Sequence, residues 1–288
     1  GSLSALSFIS SFAAEPSSEH SFKISLKQSS TFSLAQKDKL GPLQFPAYAR
    51  SLGIDAVEYS SSFFQNKAKN KIFLKELKQR CTDSNVQPLL IKCDLEDGIG
   101  APDLFERILA VNRHKYWVEA AQALGCHTLC INTRSTGNHL EQSKLCSDGM
   151  RRLASFSKDY GINIVIENDR GPSSDGQWMA QTVRNVKESN VGTLANFDNS
   201  LSYDRYKAFE EIVPFAKAIN VTFNSLGTPS QSEYTNLLRT MKLVKNSAYR
   251  GHIGIGWTGS EKSVTKGILS GKRILQTCFK SLKGISPK

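Results

Sequence analysis

At 288 residues, with 39% hydrophobic and 22% charged side chains, the chain has the size and apolar content of one (β/α)₈ barrel of about 250 residues, so length does not demand two domains. No apolar run approaches the roughly 20 residues that cross a bilayer, which excludes a helical membrane span. The net charge is +11 and the pI near 9.3, yet the lysines are spread through amphipathic stretches such as 67–80 and 262–283, a solvated-surface pattern that argues against a nucleic-acid partner.

Residues 1–21 read differently from the rest. Leu3 to Ala14 is the run LSALSFISSFAA, followed by Glu15-Pro16, which has the form of the apolar core and cleavage region of a secretory signal without a basic start. The expectation is an N-terminal segment over 1–21, either a signal remnant or disordered, and a single domain over 22–288. Export, for example to a periplasm, follows if the segment is a signal; otherwise the chain is cytoplasmic.

From Phe22 onward, short β-branched or apolar runs alternate with longer amphipathic stretches, the pattern of βα units around a parallel sheet. Strands are predicted over 23–27, 56–59, 87–92, 128–132, 163–167, 193–197, 218–223 and 253–257. Helices are predicted near 42–52, 68–84, 103–124, 140–160, 176–189, 203–213, 231–247 and 261–283. Gly53, Gly125 and Gly161 each follow a helical pattern, where a left-handed C-cap is favourable for glycine. Ser230 and Ser260 precede helical patterns and can accept from first-turn amides.

Eight units with no linker between them predict a closed α/β barrel, whose site forms where the strands end and the βα loops converge. The strand-end residues are Gln28; Glu58; Lys92 and Asp94; Asn132 and Arg134; Glu167 and Asn168; Asn196 and Asp198; Asn220, Thr222 and Asn224; Gly256 and Trp257. Polar groups at nearly every strand end are costly as core, so they predict a polar pocket. The six cysteines, Cys81, Cys93, Cys126, Cys130, Cys146 and Cys278, form no CxxC pair and read as buried small hydrophobes, without a structural zinc or disulfide framework.

The segments FPAYARSLGIDAVEY (45–59), VNRHKYWVEAAQALGCHTLCIN (111–132) and GINIVIEN (161–168) resemble the sugar phosphate isomerase/epimerase family of xylose isomerase-like TIM barrels. The likeness extends more weakly over 23–283. It implies a small-molecule sugar or sugar derivative as partner, and a divalent cation held by Glu, Asp, His and Glu at the ends of strands five to eight. Such a cation polarises a sugar carbonyl or hydroxyl while carboxylates move a proton.

Carried over position by position, the strand-five ligand is Glu167, the strand-six position falls on Asn196, the strand-seven position on or beside Asn220, and the strand-eight position on Gly256. One carboxylate and two amides replace a set with about three negative charges, which weakens a hard-cation site. The expectation is therefore no cofactor, with a cation at Glu167 left open if Asp169 or Asp198 reaches a displaced ion.

Glu167 is then the surviving acid/base, and the strand-end positions together with the resemblance mark Gln28, Glu58, Lys92, His114, Asn132, Arg134, Asn168, Asn196 and Trp257 as substrate-binding candidates. Several have structural alternatives. Glu58 accepts sugar hydroxyls or pairs with Lys92. Arg134 clamps a phosphate or carboxylate or pairs with Glu167 or Glu58. His114 carries a proton or lies on a helix surface. Trp257, with Phe63 and Phe64, forms a sugar platform or packs against the barrel mouth. The residues allow two functions: an isomerase or epimerase working by proton transfer, and a non-catalytic carbohydrate-binding barrel.

Overall fold

The computed structural model describes residues 22–37, 40–64, 67–94, 98–169, 171–197 and 204–283. The expected export segment and Asp198 lie outside them. Eight parallel strands close into a barrel in chain order: β1 (Lys23–Lys27), β2 (Ala56–Ser60), β3 (Gln87–Lys92), β4 (Thr128–Ile131), β5 (Asn163–Glu167), β6 (Val191–Asn196), β7 (Ala216–Phe223) and β8 (His252–Trp257). Closure comes from β1 lying beside β8, in register from Lys23 opposite His252 to Leu26 opposite Ile255.

Around the barrel run α1 (Phe32–Ala35), α2 (Phe45–Ser51), α3 (Lys71–Asp83), α4 (Leu104–Leu124), α5 (His139–Lys158), α6 (Gly176–Val186), α7 (Arg205–Ile212), α8 (Gln231–Asn246) and α9 (Val264–Lys283). The alternation of the sequence thus maps onto βα units, with a 3₁₀ turn over Gln28–Thr31 and then α1 added after β1. β6 and β7 begin earlier than the pattern predicts. At Gly192 a side chain would run into the Phe215 carbonyl and the stem of Lys217, so the glycine marks close strand approach rather than a break.

Local chemistry sets the helix ends. Asn138 accepts from the Glu141 amide at 3.0 Å while Glu141 accepts from the Asn138 amide at 3.0 Å, a reciprocal cap on α5. Ser230 and Glu233 form the same box at α8. Gly53, Gly125 and Gly161 have φ of 65°, 90° and 67°, the left-handed geometry expected after a helix. Ser260 departs from expectation: its carbonyl accepts from the Ser263 amide and hydroxyl, so a 3₁₀ turn over Glu261–Ser263 leads into α9.

Two apolar layers result from strand alternation. Outward residues such as Tyr59, Ile91, Leu129, Ile164, Ile166, Ile219 and Ile255 join the helix faces in the main core, while Leu90, Cys130, Val165, Leu194 and Ala218 form a separate cluster, the plug of the barrel axis. All six cysteines are free and buried. No described helix is long and apolar enough to cross a membrane.

Candidate functional site

The faces that carry the plug also carry the polar residues toward the strand ends: Val165 leads to Glu167, Leu90 to Lys92, Leu194 to Asn196 and Ala218 to Asn220, each two residues on and so on the same side of the sheet. β1 adds Ser25 and Lys27, β2 adds Glu58, and β8 adds only Gly254 and Gly256. The axis therefore changes from apolar to ionic along its length.

Glu167 is the centre of the ionic part, with 4% of its side chain exposed. Lys92 places its Nζ 2.5 Å from Oε2, Lys27 places its Nζ 3.8 Å from Oε1, and Asn196 donates from Nδ2 to Oε1 at 2.9 Å. Burial alone would raise this carboxyl, but the Lys92 and Lys27 ammonium groups and the bonds from Lys92 and Asn196 outweigh it and hold it at about 2. Lys92 also lies 3.5 Å from Asp94 Oδ1. Burial would lower its ammonium, yet the carboxylate of Glu167 keeps it protonated far above the usual lysine range.

Asn168 supports this arrangement from behind. Its Nδ2 donates to the Asn196 carbonyl and its Oδ1 accepts from the Asn196 amide, both at 2.7 Å, which ties the end of β5 to the end of β6. Asn168 is 1% exposed and acts as a strand clamp, which corrects its assignment as a substrate contact.

Glu58 belongs to a deeper layer, opposite Lys27 in register. Ser25 donates from Oγ to its Oε1 at 2.7 Å. Burial raises its carboxyl, and Lys27, Ser25 and Asn220 only partly offset this. Asn220 leans on Glu58, yet Glu58 Oε2 and both polar atoms of the Asn220 amide complete no hydrogen bond of good geometry. A Cβ at Gly254 would strike Glu58 Oε1 and Asn220 Oδ1, so the glycine gives these two groups their room. Lys92, the expected partner of Glu58, pairs with Glu167 and Asp94 instead.

Above this core, a cavity of about 420 Å³ opens over the loops after β3, β4 and β5, walled by Lys92, Asp94, Asn132, Arg134, Gln142, Glu167, Asp169 and Ser173 among others. Asn132 accepts from the Arg134 amide at 2.9 Å, fixing the loop that carries the guanidinium. Arg134 is exposed and makes no ion pair among the described residues, so neither Glu167 nor Glu58 takes it. Lys92, Asn132, Arg134 and Glu167 are thus brought together as the sequence predicts.

Five other candidate residues lie elsewhere. His114 is inside α4, fully buried, with Nδ1 2.8 Å from the Ala110 carbonyl, so it is a core residue rather than a proton carrier or surface histidine. Trp257 points outward from β8, where its ring covers Gly259 and Gly267, because its place in the alternation matches Ile253 and Ile255. Phe64 packs edge-on with Tyr59, Phe73 and Trp117, and Phe63 with Phe32, so no sugar platform forms. Gln28 is 1% exposed and accepts from the Ser60 amide at 3.2 Å, outside the cavity wall. Glu58 and Asn196 are near the centre but below the cavity.

Sequence reading missed Lys27 and Ser25. Both share the inward face of KISLK, and a count by twos along β1 identifies them; choosing the last polar residue after the strand selected Gln28 instead.

The ligand set expected for a hard divalent cation is not reproduced. Among the described residues no group of three or more His, Cys, Asp or Glu can hold a metal. Glu167 is engaged by two ammonium groups and an amide, Asn220 faces Glu58, and a Cβ at Gly256 would meet the Thr222 side chain. The residues present do not fit such an ion.

The family profile described as Xylose isomerase-like TIM barrel matches residues 46–277. A comparison with curated proteins finds no match. Among solved structures, 3-keto-D-glucoside 4-epimerase from E. coli superposes with a TM-score of 0.70 at 13% identity, covering 89% of this chain and 100% of that one. D-psicose 3-epimerase with D-tagatose from Clostridium cellulolyticum H10 gives 0.68 at 12% identity, with 93% and 100% covered. A xylose isomerase-like TIM barrel protein from Mycobacterium smegmatis in complex with magnesium gives 0.70 at 13% identity, with 92% and 99% covered. At these identities the likeness is one of fold.

Proposed function

Because the chain belongs to the xylose isomerase-like TIM barrel family, we propose that it binds a sugar or sugar derivative in the cavity over β3, β4 and β5. The observation that carries this reading is the mixed lining of that cavity: Lys92 and Arg134 present donors, while Asp169 and the outer edge of Asp94 present acceptors. A sugar hydroxyl donates and accepts at once, so a wall alternating the two suits a polyol. The sugar epimerases among the structural neighbours support the same ligand class.

Recognition without turnover is the form the geometry supports best. A carboxyl held at about 2 and occupied on both oxygens is a weak base for a carbon-bound proton, since efficient general bases have pKa values near the working pH. One observation favours the alternative of an isomerase or epimerase: Glu167 and the protonated Lys92 both border the cavity, so a carbonyl oxygen on Lys92 would bring the neighbouring carbon toward a carboxylate.

Saturation-transfer NMR with neutral aldoses and ketoses, their phosphates and their acids tests the binding. One of these classes should bind, and Arg134→Ala should weaken it about tenfold, or 1.4 kcal/mol. Failure of every class to bind would remove the proposal. Incubation of the bound sugar in D₂O should leave its carbon-bound protons in place; deuterium incorporation that Glu167→Gln abolishes would establish the isomerase reading instead.

A further inference from the structure

Two ammonium groups converge on one carboxylate inside the barrel, which is an unusual commitment of charge. Lys27 from β1 and Lys92 from β3 lie on opposite oxygens of Glu167 at 3.8 and 2.5 Å, with side-chain exposures of 13%, 31% and 4% for Lys27, Lys92 and Glu167. Carboxylates are absent from the facing strands: β6 offers the neutral Asn196, β7 the neutral Asn220, and β8 only Gly254 and Gly256. Neutral side chains on one side of the axis thus face positive charge on the other.

From this we infer that Lys27 and Lys92 form a built-in cation that takes the place of a divalent metal at the end of β5. Buried charges persist where they are paired, and Glu167 meets Lys27 on one carboxylate oxygen and Lys92 on the other. The two lysines supply its counter-charge as part of the chain. They also exclude a free ion, because a divalent cation drawn to Glu167 would sit within a few ångströms of two ammonium groups in a poorly screened interior.

The two lysines divide the work. Lys27, further from the carboxylate and more buried, also stands opposite Glu58 in register and serves as a positioning residue between the two acids. Lys92 reaches the cavity wall, so an oxygen of a bound molecule meets an ammonium where the family's sites offer a metal. The consequence is a centre that is stable and complete in the presence of a chelator. This goes beyond the sugar-binding reading and does not depend on it.

Mn²⁺ itself is the probe. Chelator-stripped full-length protein titrated with Mn²⁺ in an electron paramagnetic resonance cell should leave the free-ion signal undiminished, and its thermal midpoint should be the same in Mn²⁺ and in EDTA. Stoichiometric Mn²⁺ that disappears in Glu167→Gln would overturn the inference. The Lys27→Gln/Lys92→Gln double variant should gain at least about tenfold in Mn²⁺ affinity as two repelling charges go, and adding Glu167→Gln should abolish the gain. A double variant that is folded by circular dichroism and gains nothing would also overturn it. Should the double variant not fold, Lys27→Gln alone must show a smaller gain of the same sign, and none would again be fatal. No sugar enters these measurements, so their failure is distinct from failure of the binding proposal.

Discussion

Lys92 reaches Glu167, Asp94 and the cavity wall at once. Removing Lys92 takes the nearer ammonium from Glu167, which keeps Lys27 at 3.8 Å and the Asn196 amide, so Lys92→Met should destabilise the fold by about 1–3 kcal/mol, as measured by urea unfolding at neutral pH; a loss under about 1 kcal/mol would place the pair in the solvated class. The two glutamates have opposite pH signatures. Glu167 is depressed to about 2, so its contribution is present above the unfolded carboxyl value of about 4.3 and is lost as pH falls toward 2. Glu58 is raised, so its contribution is present below that unfolded value and is lost as pH rises through the folded one. Unfolding curves over pH 3 to 8 should therefore flatten on the acid side in Glu167→Gln and on the neutral side in Glu58→Gln; an unchanged neutral-side slope in Glu58→Gln would contradict its burial as an acid. Much of this was readable residue by residue. Glu167, Lys92, Asn132 and Arg134 follow from strand ends and alternation, whereas the choice of Lys92 between Glu58 and Glu167 depends on how far β3 lies below β5 around the tilted barrel, a three-dimensional quantity that spacing does not carry. His114 and Trp257 failed for a simpler reason: a motif identifies a residue without saying which side of its element it occupies.

At the scale of elements, the sequence is most legible where a local hydrogen bond ends or begins a helix. Ser230 is such a place, its side chain and that of Glu233 satisfying each other's amides across the first turn of α8. Ser230→Ala should cost about 0.5–2 kcal/mol in the same unfolding assay, and a neutral result would mean that packing of α8 alone sets its start. Gly267 is legible only in the structure. Its α9 turn lies against the indole of Trp257, which a Cβ would enter, so Gly267→Ala should destabilise by about 1–3 kcal/mol through overpacking, read as a lowered midpoint. In sequence this glycine looks like an unfavourable helix interior residue. Its reason belongs to a strand ten positions away in the chain, and amphipathic periodicity cannot supply that. The eight strands themselves were legible because hydrophobic alternation and helical period differ so strongly; their ends were less so at Gly192, where close approach of two strands looks like a turn signal.

For the whole molecule, closure in chain order means that β1 and β8 must meet before the sheet is complete, which ties the two ends of the domain into one unit. The three tryptophans, Trp117 in α4, Trp178 in α6 and Trp257 in β8, are all buried and sample different sectors of the barrel. Tryptophan fluorescence and far-ultraviolet circular dichroism should therefore report one coincident denaturant transition; separated midpoints would show that the barrel divides into independently stable parts. The glycines of β8 set a limit on substitution. A Cβ at Gly254 would enter the space of Glu58 and Asn220, and one at Gly256 would meet Thr222. An acidic side chain cannot be placed at either position by a single replacement without displacing these neighbours. Any variant that carries a carboxylate on the eighth strand must therefore first make room at Thr222, Asn220 or Glu58.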